Sequence, residues 1–301
     1  MIRLMKPVAI AVVSLLALGI QTPEQGGFRS ATDLVPVYAT VLDKNGAFVR
    51  GLTKDDFTVL DDGKPQPIVS FSDEAQPVSV AVILDTSSSM ASALPRVFGA
   101  ARVFLDQLRV DDRAMLGSLV YQGPAFSADK ARLRTSLDLL PPDPGSPVFQ
   151  AIDRALTSLT PETNRPVIVI YTDGKNAELP TRTQGRKPGT KPPTAESVQL
   201  RAEQAGVMVY AVGFEGVKLT NVMKAIAVRS GARATELKST DDLGAVLAGI
   251  ADELHQQYLL GFTPTTFDGR AHAIAVKIKT PEHTVRARQT YTAKSKDPLR
   301  K

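Results

Sequence analysis

The chain has 301 residues, of which 43% are hydrophobic and none is cysteine. This length can form one domain core of roughly 200 residues and a smaller module, and the lack of cysteine excludes disulfides and thiolate metal sites. The formal net charge of +5 becomes +3 when the N-terminal cations Arg3 and Lys6 are subtracted. So small a charge, with no interleaving of basic and aromatic residues, indicates no nucleic-acid partner.

The N-terminus has the form of a signal peptide. Arg3 and Lys6 precede an apolar stretch from Pro7 to Ile20, and Ala17-Leu18-Gly19 supplies small residues for cleavage after Gly19. The alternative is an uncleaved anchor, although about 14 residues are short for a span that needs about 20. We expect residues 1–19 to be a signal peptide and the mature chain to have no membrane span. Export without cysteine indicates a bacterial protein, either periplasmic or extracellular.

Two outer segments, 33–75 and 258–292, have the pattern of short antiparallel strands separated by turn sequences. The predicted strands are 35–42, 57–60, 68–71, 258–262, 271–278 and 284–290. Because isolated hairpins are only marginally stable in water, we expect the two segments to meet in one accessory β module, as a sheet or a sandwich.

The middle segment, 76–257, alternates apolar strands with amphipathic helices, which predicts a doubly wound α/β domain with a mostly parallel sheet. The predicted strands are 78–84, 114–121, 166–172, 207–213 and 232–236. The predicted helices are 96–109, 128–140, 147–159, 195–205, 218–229 and 241–257.

Oxygen-bearing side chains follow the first of these apolar strands directly. Asp85, Ser87 and Ser89 come after residues 80–84 of the predicted strand, a run so apolar that the strand is expected to be buried on both faces. In open α/β sheets, ligands lie in the crevice beyond the carboxyl ends of such strands. One carboxylate with short hydroxyl side chains suits Mg²⁺, which prefers oxygen ligands.

This sequence resembles the metal-ion-dependent adhesion site, D-x-S-x-S, of von Willebrand factor type A (VWA) domains. The segment from Pro166 to Gly174 resembles the family's apolar strand that ends in T-D-G, with Asp173 as the acid. The segment from Gly145 to Ile152 resembles the one that contributes a metal-binding Thr, a position that Ser146 occupies here. Taken alone, Ser146 could be a helix N-cap before Pro147, and Asp173-Gly174 could be an ordinary turn.

The resemblance implies that Asp85, Ser87, Ser89, Ser146 and Asp173 bind Mg²⁺ directly or through water, with Mn²⁺ or Ca²⁺ as other candidate ions. It also implies a protein partner whose Asp or Glu completes the coordination shell, which is an adhesion-type function without catalysis. The partner's identity and the oligomeric state stay open.

The outer segments extend the resemblance to a bacterial group of VWFA-related proteins. Gly51–Phe57 and Asp62–Gln66 resemble the leader of that group, and Gln256–Pro264 resembles its closing segment.

Two other functions compete with this interpretation. A structural envelope scaffold with a vestigial metal site would bind no metal. A metal-dependent hydrolase is less favoured, because an aspartyl-phosphate phosphatase would have Asp where this chain has Ser87, and no G-x-S-x-G sequence is present. His255, His272 and His283 lie late in the chain and are predicted to be surface residues.

The segment 175–193 is basic and rich in Pro and Gly. It is expected to be a solvated insertion. A second interpretation is that it attracts anionic partners toward the metal.

Overall fold

The computed structural model describes residues 34–172 and 191–295. The predicted signal peptide, Asp173 and residues 175–190 of the basic segment lie outside the described residues. The strands are β1 (Val35–Leu42), β2 (Phe57–Asp61), β3 (Lys64–Gln66), β4 (Ser70–Ser72), β5 (Val78–Leu84), β6 (Arg113–Ser118), β7 (Arg165–Thr172), β8 (Met208–Gly213), β9 (Ala234–Glu236), β10 (Tyr258–Phe262), β11 (Ala271–Ile278), β12 (Thr284–Ala287) and β13 (Thr290–Thr292). The α-helices are α1 (Leu94–Gln107), α2 (Lys130–Asp138), α3 (Val148–Leu159), α4 (Ala195–Ala205), α5 (Asn221–Arg229) and α6 (Leu243–Leu254).

A five-stranded parallel sheet, in the order β6-β5-β7-β8-β9, is the centre of the α/β domain. All seven residues of β5 are buried. Successive side chains of a strand point to opposite faces, so Val80 and Val82 join the core that includes α1 and α6, whereas Ala81 and Ile83 join the core that includes α3 and α4. Helices therefore cover both faces, and the predicted doubly wound fold is confirmed.

The predicted strands and helices of this domain are all present, with ends that differ by at most three residues. The strand predicted over 114–121 ends at Ser118 because the chain folds back there. The Ser118 amide donates a hydrogen bond to the Tyr121 carbonyl at 2.7 Å. In the described part of the chain, no helix combines the length and apolar character needed to cross a membrane.

Strands from both outer segments form two four-stranded antiparallel sheets, in the orders β12-β1-β10-β4 and β13-β11-β2-β3. The two sheets share one core, with Val37, Val59, Tyr258 and Phe262 among its buried residues. β1 pairs antiparallel with β10, from Val35 opposite Phe262 to Ala39 opposite Tyr258. The accessory β module predicted from the two segments is thus present, as a pair of sheets around a common core.

Two details of this module differ from the prediction. The single strand expected over 284–290 is wrong, because β12 pairs in the first sheet and β13 in the second, so the chain crosses between sheets at residues 288–289. β3 was not predicted because Pro65 lies at its centre and suggests a turn. Proline is tolerated here because β3 is an edge strand.

A buried carboxylate at the end of α6 joins the parallel sheet to the antiparallel ones. Glu253 is 2% exposed and accepts hydrogen bonds from Tyr210 of β8 at 2.7 Å and from Thr40 of β1 at 3.3 Å. Arg286 of β12 and Arg233 form ion pairs with the same carboxylate. The end of α6 is therefore fixed by polar contacts to both parts of the fold.

Candidate metal site

Asp85 lies directly beyond β5 and is completely buried. Its amide donates to the Tyr171 carbonyl of β7 at 2.9 Å. One carboxylate oxygen, Oδ1, accepts from the Ser87 amide at 3.0 Å, and the other, Oδ2, accepts from the Thr172 hydroxyl at 3.0 Å. The carboxylate is thus oriented by its own loop and by the neighbouring strand.

Ser87 and Ser89 bring two hydroxyls together beside this carboxylate. Their Oγ atoms are 3.1 Å apart. Two oxygens bound at right angles to Mg²⁺, each at about 2.1 Å, would be about 3.0 Å apart. Met90 anchors this loop. Its side chain is fully buried in the core that includes α1 and α6, and its amide donates a hydrogen bond to the Ser87 carbonyl at 2.9 Å.

Asp143 joins three loops at this edge of the sheet, and sequence analysis missed it. Its buried carboxylate accepts hydrogen bonds from the amides of Thr86, Leu119 and Val120 at 3.1, 3.0 and 2.9 Å, and from the Ser118 hydroxyl at 2.6 Å. In the sequence Asp143 stands between Pro142 and Pro144, which indicates only a turn. Its role depends on contacts remote in sequence.

Ser146 lies three residues after Asp143, on a loop that runs beside the Ser87 loop. Residues Ser87 and Asp143 form a parallel bridge, and the Asp143 amide donates to the Thr86 carbonyl at 3.2 Å. The N-cap of α3 is Pro147, with no side-chain capping bond. Ser146 is therefore not the N-cap residue of α3, and its loop lies beside that of Ser87.

Asp173 lies outside the described residues, but its neighbour Thr172 ends β7 beside Asp85. β5 and β7 are adjacent and parallel. They lead to helices on opposite faces, β5 to α1 and β7 to α4. This is the switch point at which open α/β sheets bind ligands.

The loop after β8 contributes another acid at the same end of the sheet. Glu215 accepts hydrogen bonds from the Thr240 amide at 2.9 Å and the Thr240 hydroxyl at 2.8 Å, and these bonds lower the pKa of Glu215 below its usual value. Tyr171 is fully buried, and burial raises the pKa of its phenol. The Tyr171 phenol is therefore neutral. The hydrogen bonds of Glu215 to Thr240 connect the loop after β8 to the segment that precedes α6.

A separate cluster of potential metal ligands lies in the antiparallel sheets. Asp61, Asp62 and His272 form it, and it shares no residue with the site at Asp85. The prediction that the histidines are surface residues is wrong for His272, which is 8% exposed. It is also wrong for His255, whose largely buried ring is 2.7 Å from the Asp112 carboxylate.

The described geometry is that of a Rossmann-like α/β domain with a hydroxyl-rich loop at its switch point. The family model for the von Willebrand factor type A domain matches residues 79–248. This chain belongs to the VWA family. VWA domains are generally non-enzymatic interaction modules and often bind a divalent metal, so family membership supports a protein-interaction role.

Solved structures are similar to this chain in fold. A von Willebrand factor type A protein from Catenulispora acidiphila matches with 10% identity and a TM-score of 0.50, over 90% of this chain and 76% of that one. An aerotolerance-related membrane protein from Bacteroides fragilis matches with 18% identity and a TM-score of 0.46, over 59% and 98%. The vWF domain of a type V pili tip protein from Porphyromonas gingivalis matches with 14% identity and a TM-score of 0.45, over 59% and 95%. A sequence search of curated proteins finds no match.

Proposed function

We propose that this chain is an exported protein-binding module that uses a divalent cation at the carboxyl edge of its parallel sheet. The ligands would be Asp85, Ser87, Ser89, Ser146 and Asp173, directly or through water. Mg²⁺ is the expected ion, and Mn²⁺ and Ca²⁺ are the alternatives. A partner's Asp or Glu would complete the coordination shell.

One observation carries this proposal. The Ser87 and Ser89 hydroxyls are 3.1 Å apart, at the spacing of adjacent ligands on Mg²⁺, beside the buried and oriented carboxylate of Asp85. A hydroxyl pair and one carboxylate form a donor set of hard oxygens, which suits Mg²⁺ better than a softer metal. The residues therefore fit a divalent ion, the kind of ligand that VWA domains often bind.

The charges of this donor set explain how the bound ion would attract a partner. Asp85 and Asp173 carry two negative charges, which balance a divalent cation, whereas the hydroxyls are neutral. The ion would then keep enough positive charge to attract a third carboxylate from another protein. When bound, the cation supplies this electrophilic contact, and the protein residues hold it at the rim of the sheet.

Export rests on the N-terminal sequence alone. Arg3, Lys6 and the apolar stretch that follows them would direct the chain out of the cytoplasm as a cleaved signal peptide over residues 1–19. The mature protein would then act in the periplasm or outside the cell. Mass spectrometry of the exported protein tests this, with a mature N-terminus at Ile20 as the expected result and an intact Met1 terminus as the contrary one.

A peptide array tests the binding function. The array should contain sequences with Asp or Glu and matched copies with Asn or Gln, probed in Mg²⁺ and in chelator. We expect Mg²⁺-dependent binding to peptides that contain an acid and loss of binding to the matched amides. The Asp85→Ala variant should bind none of them, whereas Ser88→Ala, which removes an exposed hydroxyl between the two ligand positions, should bind as wild type does.

The structural-scaffold alternative makes the opposite prediction. A protein with a vestigial site takes up no Mg²⁺ or Mn²⁺ in calorimetric titration. Its Asp85→Ala variant then gives the same titration result as wild type, with no metal uptake in either protein. Binding of acidic peptides that persists in chelator would also contradict a cation-mediated contact.

A further inference from the structure

We propose that the antiparallel sheets contain a second metal site, selective for Zn²⁺, in which Asp61, Asp62 and His272 are the ligands and Asp268 positions the histidine. These four residues form the His272 cluster. The cluster is independent of the cation site proposed at Asp85, because it lies on different strands and contains an imidazole.

The strand geometry brings three ligand atoms together. Asp61 ends β2, Asp62 begins the turn into β3, and His272 lies on β11. The ring nitrogen Nδ1 of His272 is 2.7 Å from Asp62 Oδ2 and 3.6 Å from Asp61 Oδ1. One ligand atom from each residue lies within 4.8 Å of the others.

These spacings approach those of a zinc site. Tetrahedral Zn²⁺ has bonds of about 2.0–2.2 Å to nitrogen and oxygen, so its ligands are about 3.4 Å apart. Asp61 Oδ1, at 3.6 Å from the imidazole nitrogen, already lies close to this separation. Asp62 would have to move by less than about 1 Å to reach the same spacing, and its side chain is 54% exposed and has room to do so. Its exposure also leaves a side open for a bound water.

An unpartnered buried oxygen points into the cluster. Asp61 is 4% exposed, and its Oδ2 accepts a hydrogen bond from the Tyr291 hydroxyl at 2.9 Å. Its Oδ1 is buried without a hydrogen-bond partner, since the 3.6 Å separation from His272 is too long for one. A buried carboxylate oxygen left in this state is unfavourable. A cation between Asp61 and His272 would satisfy it.

The other nitrogen of His272 is held as in known zinc sites. Nε2 is 3.1 Å from Asp268 Oδ1. Metal-binding histidines almost always donate their second ring N–H to a carboxylate, carbonyl or water, which fixes the tautomer and directs the lone pair at the metal. At 2.7 Å from Asp62 Oδ2, Nδ1 carries a proton that it donates to Asp62 when no metal is bound. With Nε2–H donated to Asp268, a metal ion that replaced this proton would meet the Nδ1 lone pair on the side of Asp61 and Asp62.

Charge also favours a divalent ion in this cluster. Three carboxylates surround one histidine, so a protonated imidazole leaves an excess of negative charge. Arg270 approaches Asp268 only at 3.9 Å and is 73% exposed. Replacing the Nδ1 proton by a divalent ion reduces the excess. An imidazole with carboxylates suits Zn²⁺, whereas the all-oxygen set at Asp85 suits Mg²⁺.

Calorimetric titration of Zn²⁺ into the untagged mature chain tests the proposal. Mg²⁺ is kept in excess so that an oxygen-ligand site is occupied throughout. We expect one Zn²⁺ per chain, binding at least tenfold weaker in His272→Gln and in Asp61→Asn, and about tenfold weaker in Asp268→Asn. The controls are Asp85→Ala and His283→Gln, both expected to bind Zn²⁺ as wild type does.

Two calorimetric results would overturn the proposal. One is the absence of saturable Zn²⁺ binding, and the other is unchanged affinity in both His272→Gln and Asp61→Asn. Loss of Zn²⁺ binding in Asp85→Ala would assign the ion to the sheet edge instead. If the ligand variants do not fold, ¹⁵N NMR of the wild-type imidazoles decides the question, since Zn²⁺ must shift the His272 Nδ1 resonance.

Discussion

Replacing Asp143 by Asn tests whether one buried carboxylate aligns the loops of the candidate metal site. Its Oδ2 accepts from the amides of Thr86 and Leu119, and its Oδ1 accepts from the Ser118 hydroxyl and the Val120 amide. An Asn side chain can keep its oxygen toward the first pair and direct its NH₂ toward the second. The Ser118 hydroxyl can rotate to accept from that NH₂. The Val120 amide then faces a donor instead of its acceptor at 2.9 Å, and it keeps only the longer bond to the Ser118 oxygen at 3.4 Å, an oxygen that also accepts from the Tyr121 amide.

The expected loss follows from this count. A buried donor without an acceptor costs about 1–3 kcal/mol, so Asp143→Asn should lower the free energy of unfolding by about 2 kcal/mol. Asp143→Ala leaves all four donors without this acceptor and should cost about 4 kcal/mol or more. Urea denaturation in metal-free buffer measures both values by linear extrapolation.

The control for lost charge is Asp129→Asn at the exposed N-terminus of α2. Asp129 accepts from the amides of Ala131 and Arg132. Asn caps helices as well as Asp does, so this variant should stay within about 0.5 kcal/mol of wild type.

Metal affinity gives the second readout for Asp143. Because misaligned loops move Ser87 and Ser146 relative to Asp85, Mg²⁺ should bind about tenfold more weakly to Asp143→Asn. Wild-type stability in both Asp143 variants, or equal losses for Asn and Ala, would refute the assignment of this carboxylate as the shared acceptor.

Three further substitutions test other parts of the fold by the same denaturation assay. Glu253→Gln should cost about 3 kcal/mol because two arginines lose a buried anionic partner, and a loss no larger than that of the exposed Glu282→Gln would contradict this. Burial alone would raise the pKa of Asp112, but hydrogen bonds from His255, Val78 and Arg109 together lower it below its usual value. The ionised carboxylate therefore stabilises the fold at neutral pH, and this stabilisation is lost as the pH falls below about 4. The deficit of Asp112→Asn relative to wild type should therefore shrink below about pH 4, and a constant deficit would contradict the shift. Gly231 has φ +86° and an added Cβ would lie 2.5 Å from the Arg288 amide nitrogen, whereas Gly216 has φ +70° and open space. Gly231→Ala should therefore lower the free energy of unfolding by about 1–3 kcal/mol more than Gly216→Ala does. Equal losses in the two variants would contradict this, because they would show that neighbouring atoms relieve the close contact without loss of stability.

The parallel domain could be predicted because its signals are local. β5 is buried throughout and apolar at every position except Ser79, so its sequence alone identifies a central strand. Its end is marked by Asp85, and the alternation of strands with amphipathic helices determines the layers. The loop of Asp85, Ser87 and Ser89 could be found for the same reason, since all three follow one strand.

Features that depend on distant contacts could not be predicted in the same way. Asp143 gains its role from backbone amides that reach it across two other loops. The region 284–290 looks like one strand because both of its halves are β-prone, and only the packing of two sheets separates β12 from β13. His272 is buried because strand pairing encloses it among three carboxylates, two from Asp61 and Asp62 at the end of β2 and one from Asp268 just before β11. No pattern of spacing along the chain encodes that arrangement.

A crystal of the mature protein soaked in Mn²⁺ tests the central claim most directly, because anomalous scattering locates the ion without reference to any model of its ligands. The predicted result is a strong peak beside Asp85 within bonding distance of the Ser87 and Ser89 hydroxyls, with Ser146 and Asp173 contributing oxygens directly or through water. A map with no peak beside Asp85 at full Mn²⁺ saturation would contradict the proposed cation-dependent binding site.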